Sequence, residues 1–237
     1  MTAEDVKRAL REVSDPEKAK NNAWFFKSGP GEYGEGDKFI GATVPNQRKV
    51  AKKFKELPLN EITKLIRSPV HEHRLTGVFI LVGRFGSSVS EGERQEIYET
   101  YMDLLNDGHV NNWDIVDSSA HQIIGGWLED KNRGVLVELA GSGKLWNQRV
   151  AIMATYSFIK QEDFTDTLLI CELLLDHPHD LIHKAVGWML REIGNRDRAV
   201  AEGFLARHYK YMPRTMLRYA IEKFPSELRQ AYLSGLM

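Results

Sequence analysis

The stretch HRLTGVFIL, residues 73–81, has a basic start followed by a run of small and apolar residues, and similar stretches recur along the chain. The segments show helical rather than alternating periodicity. Breakers such as Pro16, Pro45 and Pro178 separate them, and there is no convincing strand or hairpin turn. We therefore predict an all-α protein. The similar stretches are QRVAIMAT (148–155), HKAVGWML (183–190) and PRTMLRYAI (213–221).

The basic residues of these stretches recur at intervals that indicate a helical repeat. Arg74 and Arg149 are 75 residues apart, about two periods. The next gaps are 35 residues to Lys184 and 30 more to Arg214. A period of roughly 30 to 40 residues is typical of an α-solenoid of antiparallel helix pairs, in which equivalent positions line one concave face. We expect a single domain, residues 1–237, with these basic residues on or near that face.

The composition is that of a soluble globular protein, with 42% hydrophobic and 27% charged residues. No apolar run approaches the ~20 residues needed to span a bilayer, and we expect no membrane association. The charged N-terminal stretch MTAEDVKRALREVSD lacks the apolar core of a signal peptide, which predicts a cytoplasmic protein. The lone cysteine, Cys171, has no partner for an internal disulfide and is expected in the core.

The charge distribution is more informative than the net charge of −1. Residues 45–56 carry five basic residues and one acidic residue, and residues 191–230 carry nine basic and five acidic residues. Residues 88–140 carry eleven acidic and three basic residues. Basic ends around an acidic middle could hold a polyanion at two places, and ordinary solvated helix faces would give the same pattern.

Common catalytic motifs are absent from the sequence, including the phosphate-binding loop, the dinucleotide fingerprint, GxSxG and HExxH. The glycine-rich stretch GPGEYGEGDKFIG (29–41) lacks the Lys-Ser/Thr of a nucleotide loop and is expected to be a surface loop. Histidines two apart in HEH (71–73) and HPHD (177–180) suit helix ends or turns better than metal binding. We expect no metal and no cofactor.

The stretch NNWDIVDSSAHQ, residues 111–122, places an indole and a carboxylate four residues apart. A helix would bring Trp113 and Asp117 onto one face. One interpretation is structural: Asn111 or Asn112 caps the helix, Asp114 favours its first turn, and Trp113 belongs to the core.

The second interpretation is a site for a cation. Trp188 supplies another indole on a helix two repeats later, and aromatic faces attract positive charge. A fixed carboxylate stabilises a developing cation without reorganisation. Arg149 and Arg191 would suit phosphates at the rim. Such a groove predicts a substrate that is anionic outside and cationic at its centre.

Five collinear stretches resemble the AlkD-type DNA alkylation-repair glycosylases, which are HEAT-like helical-repeat proteins. The resemblance runs from about residue 15 to residue 230. It implies removal of N3- and N7-alkylated purines from duplex DNA, and these bases carry a formal positive charge. The stretches are KFIGATVPNQRKVAKKF (38–54), NNWDIVDSSAHQIIGGWL (111–128), LWNQRVAIMATYSFIK (145–160), HKAVGWMLREIG (183–194) and RTMLRYAIEKF (214–224).

By this resemblance, Asp117 would be the catalytic carboxylate, with Trp113 and Trp188 bordering the lesion nucleotide. The remaining residues expected from the resemblance and the repeat would contact DNA: Arg149, Arg191, Arg214, Lys184, Arg48, Lys49 and Phe25. The chain departs from the family where a tyrosine can stand in the second helix. It has AWFF (23–26) there, so Trp24 or Phe25 takes that position without the hydroxyl. A second departure is that another common family pattern has two tryptophans where this chain has Asn112 and Trp113.

The expected reaction is hydrolysis of an N-glycosidic bond by a monofunctional glycosylase, because no lysine stands beside Asp117 for Schiff-base chemistry. The expected partner is double-stranded DNA containing alkylated purines, which would associate the protein with the nucleoid. A monomer is expected, since a repeat array needs no partner to close its core. The alternative is a non-catalytic helical-repeat module that binds damaged or branched DNA.

Overall fold

The computed structural model describes residues 1–237, which form fifteen α-helices and one π-helical turn and no strand. The one pairing of extended backbone is an isolated bridge between Lys38 and Val70. The all-α prediction is therefore confirmed. No helix combines the length and the apolar character needed to cross a bilayer.

The chain folds into two compact units, residues 1–123 and 124–237, so the expected single domain stays a prediction. The first unit contains α1 (Ala3–Arg11), α2 (Pro16–Phe25), α3 (Val44–Lys53), α4 (Leu59–Ile66), α5 (His71–Ser87), α6 (Glu91–Asn106) and α7 (Trp113–Asp117). A π-helical turn (His121–Gly125) spans the boundary between the units in the sequence. The second unit contains α8 (Gly134–Gly141), α9 (Leu145–Ala154), α10 (Tyr156–Ile159), α11 (Thr165–Leu173), α12 (Asp180–Gly194), α13 (Arg198–His208), α14 (Arg214–Ala220) and α15 (Ser226–Ser234).

Side-chain caps fix several helix starts in the first unit. Thr2 and Asp5 form a reciprocal capping box at α1, and Asp15 caps α2. Ser90 caps α6, because its hydroxyl accepts the backbone N–H of Glu93 at 3.2 Å. These caps satisfy N–H groups that have no partner within the helix.

Within each unit, helices pack as neighbouring pairs. In the first unit α5 packs against α3 and α4, and in the second α8 packs against α9 and α12 against α13 and α14. All four repeated sequence stretches fall in helices, namely α5, α9, α12 and α14. Helices α12 and α14 approach so closely that a Cβ at Gly187 would lie 2.4 Å from the Met216 carbonyl oxygen. Cys171 is buried in the core, as predicted.

Candidate functional site

The candidate site of the first unit is built on α7, which begins at Trp113 and ends at Asp117. Asn112 caps this helix, since its Oδ1 accepts the Trp113 N–H at 2.8 Å. With 3.6 residues per turn, Trp113 and Asp117 project from the same side of α7. The π-helical turn at 121–125 follows shortly after, and turns of this kind are frequent at functional sites.

Trp113 packs against aromatic residues from α2 and the loop that follows it. The Phe26 ring stacks on Trp113 with centroids 5.5 Å apart, and Phe25 meets Trp113 edge-on at 6.0 Å. Phe39 stacks on Phe26 at 5.5 Å. Phe25 is 57% exposed and the adjacent Trp24 is 84% exposed, so aromatic surface reaches solvent here. We call Phe25, Phe26, Phe39 and Trp113 the aromatic cluster.

A set of buried charges contacts the aromatic cluster. His71, the first residue of α5, lies between two carboxylates: Nδ1 is 3.2 Å from Asp37 Oδ2 and Nε2 is 2.9 Å from Asp114 Oδ2. Arg74 donates to Asp37 Oδ1 at 2.6 Å. With His71 protonated, two cations face two carboxylates and the set is electrically neutral. We call Asp37, His71, Arg74 and Asp114 the ionic cluster.

The ionic cluster keeps His71 in its charged form. Burial alone lowers the pKa of His71, but the Asp114 carboxylate and the hydrogen bonds to Asp114 and Asp37 outweigh burial and raise the pKa to about 9. Burial also favours the neutral form of Asp37, yet His71 and Arg74 hold the pKa of Asp37 below its ordinary value. The charged imidazole ring lies 4.6 Å from the Phe26 ring and 5.1 Å from the Phe39 ring, within the range of a cation–π contact.

Hydrogen bonds from α6 support the C-terminal half of α7. The Ser119 hydroxyl donates to the Ile115 carbonyl at 2.7 Å and lies 2.9 Å from the buried Tyr101 hydroxyl. Burial, assisted by the nearby charge of Asp117, raises the pKa of Tyr101, and the bond to Ser119 offsets this only in part. Asp117 itself is half-buried. The carboxylate is therefore close to a phenol that stays neutral.

The glycine-rich stretch 29–41 is more than the expected surface loop. The side chain of Asp37 is only 4% exposed, and the backbone N–H groups of Ile40 and Gly41 donate to the Glu72 carboxylate at 3.1 and 2.8 Å. Gly41 has a φ of +78°, and a Cβ there would lie 2.0 Å from the Asp15 carbonyl oxygen. The second half of this loop is thus packed into the first unit.

Arg74 also differs from its prediction. It was expected on or near a DNA-facing surface, but it is buried and donates to Asp37 and to the Ser68 carbonyl. Sequence reasoning missed Asp37, and it treated His71 as an ordinary helix-end histidine. The only local signal was the position of His71 at the start of a buried helix, because its partners are 34 and 43 residues away.

In the second unit, α12 carries three of the predicted site residues, and two of them, Trp188 and Lys184, are paired within the helix. The indole Nε1 of Trp188 donates to Glu192 Oε1 at 3.2 Å. Lys184 Nζ lies 2.6 Å from Asp180 Oδ2, one turn earlier. Both side chains are half-buried on the helix surface.

The predicted arginines of the second unit differ in accessibility. Arg149 is 4% exposed and donates to the Leu181 carbonyl, which ties α9 to the first turn of α12. Arg191 is half-buried and forms an ion pair with Glu222. Arg214 is exposed at the first residue of α14.

The predicted N-terminal DNA contacts lie on α3 of the first unit. Arg48 places its guanidinium 4.1 Å from the centroid of the Phe79 ring, and Lys49 is exposed. Arg48 borders an open cavity of about 690 Å³, which is also lined by Lys52 of α3, by Lys55 just after α3 and by residues of α5 and α6. The surface around Arg48 is therefore basic and accessible.

Fold and site together define an all-α helical-repeat protein with an indole and a carboxylate on one short helix. The chain belongs to the DNA alkylation repair enzyme family, whose model matches residues 6–224. The resemblance seen in the sequence is thereby confirmed.

A solved structure described as a predicted DNA alkylation repair enzyme from Enterococcus faecalis shares the fold. Its TM-score is 0.67 at 16% identity, over 90% of this chain and 97% of that one. None of the curated proteins is similar enough in sequence to match.

Proposed function

We propose that this protein is a monofunctional DNA glycosylase that hydrolyses the bond between deoxyribose and an N3- or N7-alkylated purine in duplex DNA. The observation that carries the proposal is α7, which bears Trp113 and Asp117 one turn apart, with Trp113 stacked on Phe26. Family membership supports DNA alkylation repair. The alkylated purine supplies the positive charge that this combination of side chains suits.

In the proposed reaction the C1′–N bond breaks, and its electron pair leaves with the purine. The pair neutralises the charge that alkylation placed on the ring, so no general acid is needed, unlike in ordinary glycoside hydrolysis. The sugar becomes an oxocarbenium-like cation, which the Asp117 carboxylate stabilises. A water oxygen attacks C1′ and gives its proton to Asp117 or to solvent. The products are a neutral alkylpurine and an abasic site.

The exposed cations are proposed to bind phosphates of the DNA backbone. Arg214 and Lys49 are exposed, and Arg48 is held in place on Phe79. Lys184 and Arg191 already pair with carboxylates, so each would exchange that partner for a phosphate.

Arg149 is proposed to act indirectly. Its side chain is buried and holds the first turn of α12, the helix that carries Lys184 and Trp188. The assignment of Trp188 to the lesion nucleotide stays a prediction, which Trp188→Ala tests by its rate of base release.

Base release from duplex DNA containing N3-methyladenine or N7-methylguanine tests the proposal directly. Wild type should release the base, and Asp117→Asn should bind the same DNA but release at least a hundredfold less, because it lacks the stabilising charge. Asp103→Asn is the matched control, since it removes a carboxylate from an exposed position in the same unit. It should retain wild-type activity.

If neither wild type nor Asp117→Asn releases a base while both bind DNA, the proposal is wrong and the alternative, a non-catalytic DNA-binding module, is correct. If Asp117→Asn is as active as wild type, the reaction uses another carboxylate. If contacts with phosphates hold the DNA, its binding weakens as the salt concentration rises.

A further inference from the structure

Three segments of the first unit meet at His71. Asp37 comes from the loop between α2 and α3, Asp114 comes from the first turn of α7, and His71 begins α5 between them. The charged groups that face the imidazole are these two carboxylates and Arg74 of its own helix. The rings of Phe26 and Phe39 cover it.

We propose that His71 is a positioning residue that holds α7, and with it Trp113 and Asp117, in its working geometry by bridging Asp37 and Asp114. This inference rests on the proposed function, because the geometry it protects is that of the candidate active site. His71 acts through Asp114 and the aromatic cluster and does not itself contact the substrate.

The bridge requires a proton on each ring nitrogen. A charged imidazole has two N–H donors and can serve both carboxylates, whereas the neutral ring has one donor and one lone pair. Loss of the proton therefore turns a lone pair toward one carboxylate and breaks that half of the bridge. The bridge is intact only in the protonated state.

The half that breaks is the one to Asp37. Asp37 has two further donors, since Arg74 binds it at 2.6 Å and the Asn112 amide lies 3.3 Å away. Asp114 is the closer carboxylate at 2.9 Å, so the remaining proton of His71 stays on Nε2 and faces it. Deprotonation therefore separates His71, together with Asp114, from Asp37 and its loop. The start of α7 then loses the link to the docked loop that His71 supplies.

The bridge itself is tested by nuclear magnetic resonance of the wild-type protein between pH 6 and pH 10. The His71 ring signals should titrate well above the ordinary histidine range, near pH 9. The indole N–H signal of Trp113 should shift with the same midpoint. Trp188, whose indole is held by Glu192, is the internal control and should not show that midpoint.

The consequence for activity is tested by the pH profile of base release, corrected for spontaneous loss. Wild-type kcat should fall at high pH with the His71 midpoint. Asp114→Asn keeps a hydrogen-bond acceptor but removes the charge that raises the pKa, so it should move the fall by at least one pH unit toward neutrality. His73→Gln, on the same helix and bonded to Ser68, should leave the alkaline limb in place.

Each outcome decides the proposal. It is wrong if His71 titrates near pH 6.5, if Trp113 does not follow the His71 midpoint, or if Asp114→Asn folds and leaves the alkaline limb unmoved. If Asp114→Asn fails to fold, the wild-type titration of His71 and Trp113 still decides. If wild type releases no base at any pH, the proposed function fails, and the two resonance midpoints still confirm or refute the bridge.

Discussion

In the first unit, Trp113 packs against Phe25 and Phe26 at the end of α2, and Phe26 in turn packs against His71 of α5. In the second unit, the indole of Trp188 is bonded to Glu192, one turn along its own helix. The first arrangement joins stacked rings, of which Phe25 reaches solvent, to the buried and electrically neutral ionic cluster. The second lies on a helix surface. Disturbing the first should therefore change both stability and geometry, whereas disturbing the second should change mainly the local surface.

The largest effect is expected for Asp37→Ala. This change leaves His71 and Arg74 as buried cations with one carboxylate fewer, and breaking a buried ion pair costs about 3–5 kcal/mol. Urea unfolding measures the loss in free energy of unfolding. Asp107→Ala removes a surface partner of Arg67 and should cost less than about 1 kcal/mol. Equal losses in the two variants would contradict the distinction drawn here.

The second prediction concerns the pH dependence of stability. The pKa of His71 is raised in the folded state, so its contribution is complete below about pH 6.5 and is lost as the pH rises through about 9. At 1.36 kcal/mol for each unit of pKa shift, the loss is on the order of 3 kcal/mol. Unfolding at a series of pH values should show this fall in wild type, and His71→Gln should remove it.

His73 gives the opposite trend and serves as a comparison. Burial first, and then Lys7 and Arg11, lower the pKa of His73 to about 4. Its contribution is present above about pH 6.5 and is lost as the pH falls through 4. A His73→Gln variant should flatten this acid limb and leave the alkaline limb unchanged.

The third prediction separates two arginines of the second unit. Arg214 is exposed, so Arg214→Gln should reduce the dependence of log affinity for duplex DNA on log salt by about one unit. Arg149 is buried against Leu181, so Arg149→Gln should lower the melting temperature and leave that slope unchanged. Binding measured at several salt concentrations, together with thermal unfolding, checks both. The reverse result would make Arg149 the phosphate contact.

The smallest effect is expected for Glu192→Gln on α12. The hydrogen bond to Trp188 can be kept by the amide oxygen, and half-exposed charge pairs contribute about 0–1 kcal/mol. Chemical unfolding should show a change within that range. A loss of several kcal/mol would mean that Trp188 depends on a buried network as Trp113 does.

The sequence predicts what depends on local spacing. The four repeated stretches are helices, Asn112 caps α7 as expected, and Trp113 and Asp117 lie on one short helix. Ion pairs such as that of Lys184 with Asp180 can also be predicted from the sequence, because residues four apart are neighbours on a helix. In each case the partners are within one turn of each other.

The ionic cluster could not be predicted in the same way. Asp37, His71 and Asp114 are far apart in the sequence, and nothing in the composition of a glycine-rich stretch marks one aspartate as buried. The charged residues of HEHR at 71–74 would ordinarily be placed on a surface, and all four are buried. Their partners come from the loop, from α7 and from Ser68, and packing between separate segments has no periodic signature.

The brevity of α7 bears on any attempt to transplant this site. Helices shorter than about 12 residues are marginal in isolation, and α7 has five residues. Its helical shape therefore depends on contacts with Asn112, His71, Tyr101 and the loop around them. Grafting Trp113 and Asp117 alone onto another scaffold would transfer the reactive side chains without the contacts that shape α7. The residues that shape α7 would have to be transferred together with the pair.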